Sequence, residues 1–224
     1  MPRFALILGL TLTLALVSAA PAETIVRTAY MDTYVDSSQP AENFGQDNWL
    51  HVGMAAAGGS GTIRDLLCFD YGDLPTNPGM IASATLHACQ FQVQGGSAGR
   101  TVGVYRVTST WDEASVTWNT QPTVDASTVW ATEVVGTNQD GGWITWDVTD
   151  LIRAQASGAL PNCGLALCDL SEGLGTPSLG TVWSTEYIFN NNENFQLTIE
   201  TVPEPGSLAA LALASFAAFA RRRS

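Results

Sequence analysis

From residue 23 to about residue 202, apolar and polar side chains alternate with period two in short runs separated by Gly, Asn, Asp, Pro and Ser. A strand shows successive side chains to opposite faces, so each run predicts a strand buried on one side. The runs are "TIVRTAYMDTYVD", "NWLHVGM", "IRDLLCFDY", "SATLHACQFQV", "TVGVYRVT", "SVTWNT", "STVWATEV", "GWITWDVT", "CGLALCDL", "TVWSTEY" and "FQLTIET". Alternation places Leu67 and Phe69 on one face and Cys68 on the other, and sets Leu86 and Ala88 against His87 and Cys89. The exception is "TDLIRAQASG", where Thr149 can cap and Gly158 can stop a helix of about two turns. Many short strands with turn signals between them predict an all-β domain: a jelly-roll β-sandwich of two antiparallel sheets with one short helix.

Two longer apolar runs break this pattern, one at each end. The first, in "MPRFALILGLTLTLALVSAAPAET", carries one cation at Arg3, an uncharged stretch from Phe4 to Val17, and a small-x-small cleavage pattern at Ala20-Pro21-Ala22. It predicts a signal helix and a secretory signal peptide over residues 1–22. The second follows Pro203-Glu204-Pro205, runs from Leu208 to Ala220, and ends in Arg221, Arg222 and Arg223. At about 1.5 Å per residue this apolar helix spans roughly 20 Å, short of the ~30 Å hydrocarbon core of a membrane. The terminal arginines favour a cytoplasmic end and leave the body on the outer side.

These three parts in order resemble the PEP-CTERM sorting signal of bacterial exported proteins, here over residues 203–224. The resemblance implies that an exosortase-type enzyme removes the tail. The body, tethered transiently to the inner membrane and touching it only through the terminal segments, then reaches the cell surface or an extracellular matrix. A simple tail anchor is the alternative reading.

Residues 23–202 are of a length suited to one domain. Removing Arg3 and the three terminal arginines from 9 basic residues, and Glu204 from 21 acidic ones, leaves 5 and 20, a net of about −15. The remaining cations are all arginines: Arg27, Arg64, Arg100, Arg106 and Arg153. So acidic a body repels nucleic acid and anionic membranes, which excludes both as main partners. In an exported protein the four cysteines can form disulfides. Cys163 and Cys168, if on one strand, would lie about 17 Å apart, beyond bridging distance. Cys68 with Cys89 is the expected pairing.

In order, the strands resemble a DNRLRE domain, a jelly-roll module of secreted bacterial and archaeal proteins, parts of which are classed as carbohydrate-binding modules. The resemblance rests on Asp32, Thr33, Tyr34 and Val35 before Asn43-Phe44-Gly45, then on "RDLLCFDYGDLP" and "IASATLHA". Its most specific part is "VYRVTSTWDEASVTWNTQP", followed by "WITWDVTDLI", "NCGLAL" and "WSTE". It implies a non-catalytic module that binds polysaccharide, associated with exopolysaccharide or biofilm. Some modules of this family bind acidic polysaccharide, but the negative charge of this body favours a neutral glycan.

An enzyme is poorly served. The chain has only His51 and His87, no lysine, and no serine in a nucleophile-elbow context. Asp112 and Glu113, adjacent in an extended stretch, point to opposite faces and make no catalytic pair. A polysaccharide-degrading enzyme is therefore the minor alternative, and a passive structural or assembly domain the main one. Sugar rings stack on aromatic faces, and Trp49, Trp130, Trp143, Trp183 and Tyr187 form the pool, with Trp183, Tyr187, Trp130 and Trp49 the candidate contacts. Trp111, Trp118 and Trp146 are assigned to packing.

No cofactor is required by the pattern. Asp32, Asp36 and Asp147 are the candidate oxygen donors for a structural calcium ion, with turn and helix capping as the competing role. Arg64 and Glu186 are expected to pair. Trp111 and Trp118 lie seven positions apart, on opposite faces of an extended strand, so both can enter one core only through a turn or bulge near Ala114. Glu113 would satisfy amides at that turn, and Pro122 would end the strand.

Overall fold

The computed structural model of the protein describes residues 22–54, 61–95, 99–135, 142–172, 178–187 and 194–202. Apart from Ala22, the expected signal and sorting segments, with Ala20, Pro203, Glu204, Pro205, Arg221, Arg222 and Arg223, lie outside the described residues. Glu23–Val202 forms a compact unit by itself.

The strands divide between two antiparallel sheets. One contains β1 (Thr24–Thr28), β3 (Trp49–Met54), β5 (Ile81–Gly95), β9 (Gly142–Asp147), β11 (Ser178–Trp183) and β12 (Gln196–Thr201). Its order is β1-β12-β5-β11-β3, with β9 on the other flank of β5. The other contains β2 (Met31–Asp36), β4 (Ile63–Cys68), β6 (Arg100–Val107), β7 (Val124–Asp125), β8 (Ala131–Val135) and β10 (Leu165–Asp169), in the order β2-β4-β10-β6-β7 with β8 also on β6. One helix, α1 (Thr149–Ala156), packs against β5.

The expected strand "TIVRTAYMDTYVD" is broken at Ala29-Tyr30, and its halves enter different sheets as β1 and β2. The chain thereby crosses from one layer to the other, which a single straight strand cannot do.

The main core lies between the sheets and follows the alternation. Leu67, Phe69, Leu86 and Ala88 are inside it, with Trp146 fully buried and its Nε1 donating to the Val102 carbonyl at 3.2 Å. The helix forms where expected, but Thr149 is its first residue rather than its cap. Asp147 accepts from the Thr149 N–H (3.1 Å) and hydroxyl (2.6 Å), and Gly158 ends the run at φ +76°.

A second, smaller core lies on the far side of the β4–β10–β6 sheet, where Val35, Leu66, Val107, Ala166 and Cys168 meet Val116, Trp111 and Trp118. Residues 108–123 form an arm over that face. The arm is not the expected strand "SVTWNT". It turns over 113–115, as the Trp111–Trp118 spacing requires, and then makes a short 3-10 turn, Trp118–Thr120. Asp112 caps the bend, accepting from the Ala114 N–H (3.2 Å) and the Ser115 hydroxyl (3.2 Å). Trp111 Nε1 donates to the Cys163 carbonyl at 3.1 Å.

The "NFG" element fixes the arm. Asn43 Nδ2 donates to the carbonyls of Glu113 and Val116, both at 2.7 Å. A Cβ on Gly45 would sit 2.2 Å from the Glu113 carbonyl oxygen, so only glycine allows this approach.

None of the four cysteines is in a disulfide. The expected Cys68–Cys89 bridge does not form, because Cys68 is on β4 and Cys89 on β5, in different sheets, and each points away from the core that separates them. Cys68 Sγ instead donates to Tyr30 Oη at 3.0 Å.

Candidate functional site

Two features stand out from a frame otherwise explained by packing: a row of aromatic side chains and a group of carboxylates. Both are built partly from the end of β11.

The row begins with a register irregularity. Thr181 is opposite Gln92 but Val182 is opposite Gln90, so Phe91 is the extra residue of a bulge. Val182 and Leu50 are buried in the main core, and Trp183 is paired with Trp49, so both tryptophans project to the outside. Cys89 is paired with Trp143, which projects the same way. The outer face thus carries Trp143 on β9, Phe91 on β5, Trp183 on β11 and Trp49 on β3. These are four neighbouring strands, spanning about 14 Å at the usual strand spacing of ~4.8 Å.

Phe91 stacks on Trp183 with ring centroids 3.8 Å apart, and Tyr187 stacks on it at 3.7 Å. Two rings at those distances cannot share one face, so the indole of Trp183 is sandwiched and offers a ligand its edge. The open indoles are Trp49, 44% exposed, and Trp143, 47% exposed. His87 meets Trp143 edge-on at 6.2 Å. Trp130, the remaining candidate, is half-buried against the main core.

The carboxylate group joins three segments remote in sequence. Asp32 on β2, Glu113 at the bend of the arm and Glu186 just after β11 place carboxylate oxygens all within 4.8 Å of one another. Asp32 is buried; it accepts from the Thr185 N–H (3.1 Å) and hydroxyl (2.9 Å), while its own N–H donates to Glu113 Oε1 at 2.6 Å. Glu113 therefore reaches across to β2 and leaves the capping of its own turn to Asp112.

Burial, with the Glu186 charge added, pushes the Asp32 carboxyl up to about 7 against the pull of its Thr185 hydrogen bonds. Burial raises Glu113 as well, opposed by the Asp32 N–H. Asp65, on β4, is fully buried with neither oxygen hydrogen-bonded, and burial together with Asp32 holds its carboxyl well above the usual range.

The other predicted donors are elsewhere. Asp36 accepts from the Ser38 N–H (2.7 Å) and hydroxyl (2.8 Å), and Asp147 accepts from Thr149 at the start of α1, so neither joins Asp32. Arg64 does not pair with Glu186. It makes a bidentate pair with Glu172, at 2.7 Å for both bonds, and lies 4.9 Å above the Trp118 ring. That pair lines a groove of about 500 Å³ with Tyr105 and Gln121, beside the arm.

Sequence reasoning missed Phe91, because a bulge has no sequence mark here, and Asp65, which sat unremarked inside a strand. It found Glu113 but assigned it locally; the motif glutamates of "WDE" and "STE" belong together only in three dimensions.

Comparison with known proteins places these features. A family model for carbohydrate-binding module family 96 matches residues 23–199, nearly the whole of the sandwich, and a model of the PEP-CTERM protein-sorting motif matches residues 201–224. No protein of curated function matches the chain. The sorting motif marks a secreted protein that an exosortase recognises and processes at the membrane. The chain belongs to carbohydrate-binding module family 96.

Proposed function

We propose that the protein is an exported, non-catalytic glycan-binding module of the cell surface or extracellular matrix, and that the row from Trp143 through Phe91 and Trp183 to Trp49 is its contact surface. The observation that carries this reading is the pair of half-open indoles at the two ends of a rigid aromatic block on one sheet face. Large apolar side chains left open in a row mark a binding surface more often than an accident of packing. Stacked rings in the middle hold the row in place, so little order is lost on binding. A flat row of this kind fits an extended polysaccharide chain lying across the strands.

The acidic body favours a neutral glycan over a uronic-acid polymer. Two features support a non-catalytic role: the family is one of binding modules, and Asp32 and Asp65, the carboxyls that burial shifts most, are both buried.

The test is the affinity of the chain for immobilised neutral β-glucans, mannans and anionic uronans. Retardation by a neutral polysaccharide supports the reading, and no retardation by any of them contradicts it. Loss of binding in Tyr105→Ala with Trp49→Ala unaffected would move the contact surface to the groove beside the arm.

A further inference from the structure

The body contains five arginines and no lysine, and each arginine is paired with an acid: Arg27 with Asp73, Arg64 with Glu172, Arg100 with Asp169, Arg106 with Asp125 and Arg153 with Asp150. None of these acids belongs to the group of Asp32, Glu113 and Glu186, so among the described residues its charge has no protein cation to answer it. Three carboxylates held together without a counter-charge repel one another, which favours either protonation or a bound cation.

Asp65 adds an independent observation. On the β2–β4 ladder Asp32 is opposite Leu67 and Asp65 is opposite Tyr34, so Asp65 is the diagonal neighbour of Asp32 and projects to the same side. It is fully buried, neither of its oxygens has a hydrogen-bond partner, and the charge acting on it is that of Asp32. A buried oxygen of Glu186, Oε2, is likewise without a hydrogen bond. A buried carboxylate beside Asp32 with no hydrogen-bond partner calls for an explanation, and a cation shared with that group supplies one.

We infer that Asp32, Glu113 and Glu186, backed by Asp65, bind one hard divalent cation of the calcium class. The donors are all oxygens, with no histidine or thiolate among them, which selects calcium or magnesium over zinc. Two oxygens on one Ca²⁺ can be no farther apart than twice a Ca–O distance, about 4.6–5.2 Å, and the 4.8 Å spread of the group meets that limit without rearrangement. The ion would clasp β2, the bend of the arm and the segment after β11 that carries Tyr187, joining the second core to the aromatic row. The inference stands independently of the glycan reading.

The experiment is calcium titration of the full chain after EDTA and dialysis into metal-free buffer, with magnesium in parallel and thermal unfolding as a second readout. The expected result is one Ca²⁺ per chain and a Tm higher by roughly 5–10 °C when calcium exceeds its Kd about a hundredfold. Glu186→Gln and Glu113→Gln keep the size of the side chain, and the second keeps an acceptor for the Asp32 N–H; each should weaken calcium binding at least about tenfold. Asp36→Asn and Asp147→Asn should leave it unchanged. Absence of saturable binding at millimolar calcium or magnesium, with a Tm indifferent to EDTA, would overturn the site and assign protons to the buried acids. Equal binding by the wild type and both glutamine variants would overturn it too. The wild-type stoichiometry and Tm decide the matter even if a variant fails to fold.

Discussion

On the outside of the β4–β10–β6 sheet, Trp111 and Trp118 point inward from an arm of the chain and close a second core over Leu66, Ala166 and Val107. On the outside of the β5–β11–β3 sheet, Trp49 and Trp143 stand beside the stacked rings of Phe91, Trp183 and Tyr187 and keep nearly half their surface in solvent. The same residue type thus serves burial on one face and exposure on the other. The difference lies in what the backbone provides: a bend at Ala114 and an Asn43–Gly45 clamp hold the arm down, whereas a bulge at Phe91 turns an aromatic ring outward. A covered face contributes stability, and an open one is available for recognition.

The sharpest way to break this comparison is Trp111→Ala, which removes most of an indole and its hydrogen bond to Cys163 from the second core. It should destabilise the domain by about 3 kcal/mol, read as a shift in the urea midpoint at unchanged slope. Asn43→Ala comes next: it strips the hydrogen bonds from two carbonyls at the arm and should cost about 2 kcal/mol by the same measurement. On the open face the signs reverse. Trp49→Ala should lower glycan affinity about tenfold, some 1.4 kcal/mol, while Tm moves by no more than about 2 °C, as calorimetry can check.

The smallest effect belongs to Asp147→Asn at the start of α1. The hydroxyl and N–H of Thr149 hold the Asp147 carboxyl below its ordinary range, so its contribution is present above the unfolded pKa near 3.9 and disappears as pH falls through the lower folded value. The side chain is exposed, so the loss should be a few tenths of a kcal/mol at neutral pH and should vanish in acid, which paired melts at pH 7 and pH 2 would show.

How much of this was legible in the sequence depends on how local the cause is. The period-two pattern found most of the strands, "SVTWNT" excepted, and the side of Leu67, Phe69, Leu86 and Ala88, since alternation needs only neighbours. The seven-residue spacing of Trp111 and Trp118 required the bend that is present at 113–115. What failed was long-range. The break at Ala29-Tyr30 reflects a change of sheet, and the Cys68–Cys89 expectation ignored that β4 and β5 lie in different layers.

The acids show the same limit. Asp36 and Asp147 satisfy amides within two residues, as capping predicted, while Asp32 finds Glu113 and Glu186 only through the fold. Arg64 took Glu172 in place of Glu186 because the turn after β10 brings Glu172 beside it. In the aromatic row, Trp183 was visible as a large ring on a strand, but its enclosure by Phe91 and Tyr187 follows from a register shift that no single residue announces.

The central claim is that the open aromatic row holds the glycan and the covered one does not. The most direct measurement is affinity electrophoresis of the wild type and of Trp49→Ala/Trp143→Ala in gels containing the neutral polysaccharide that retards the wild type, with Tm recorded for both. The account predicts that retardation is abolished while Tm stays within a few degrees; retardation equal to the wild type in the folded double variant would contradict it.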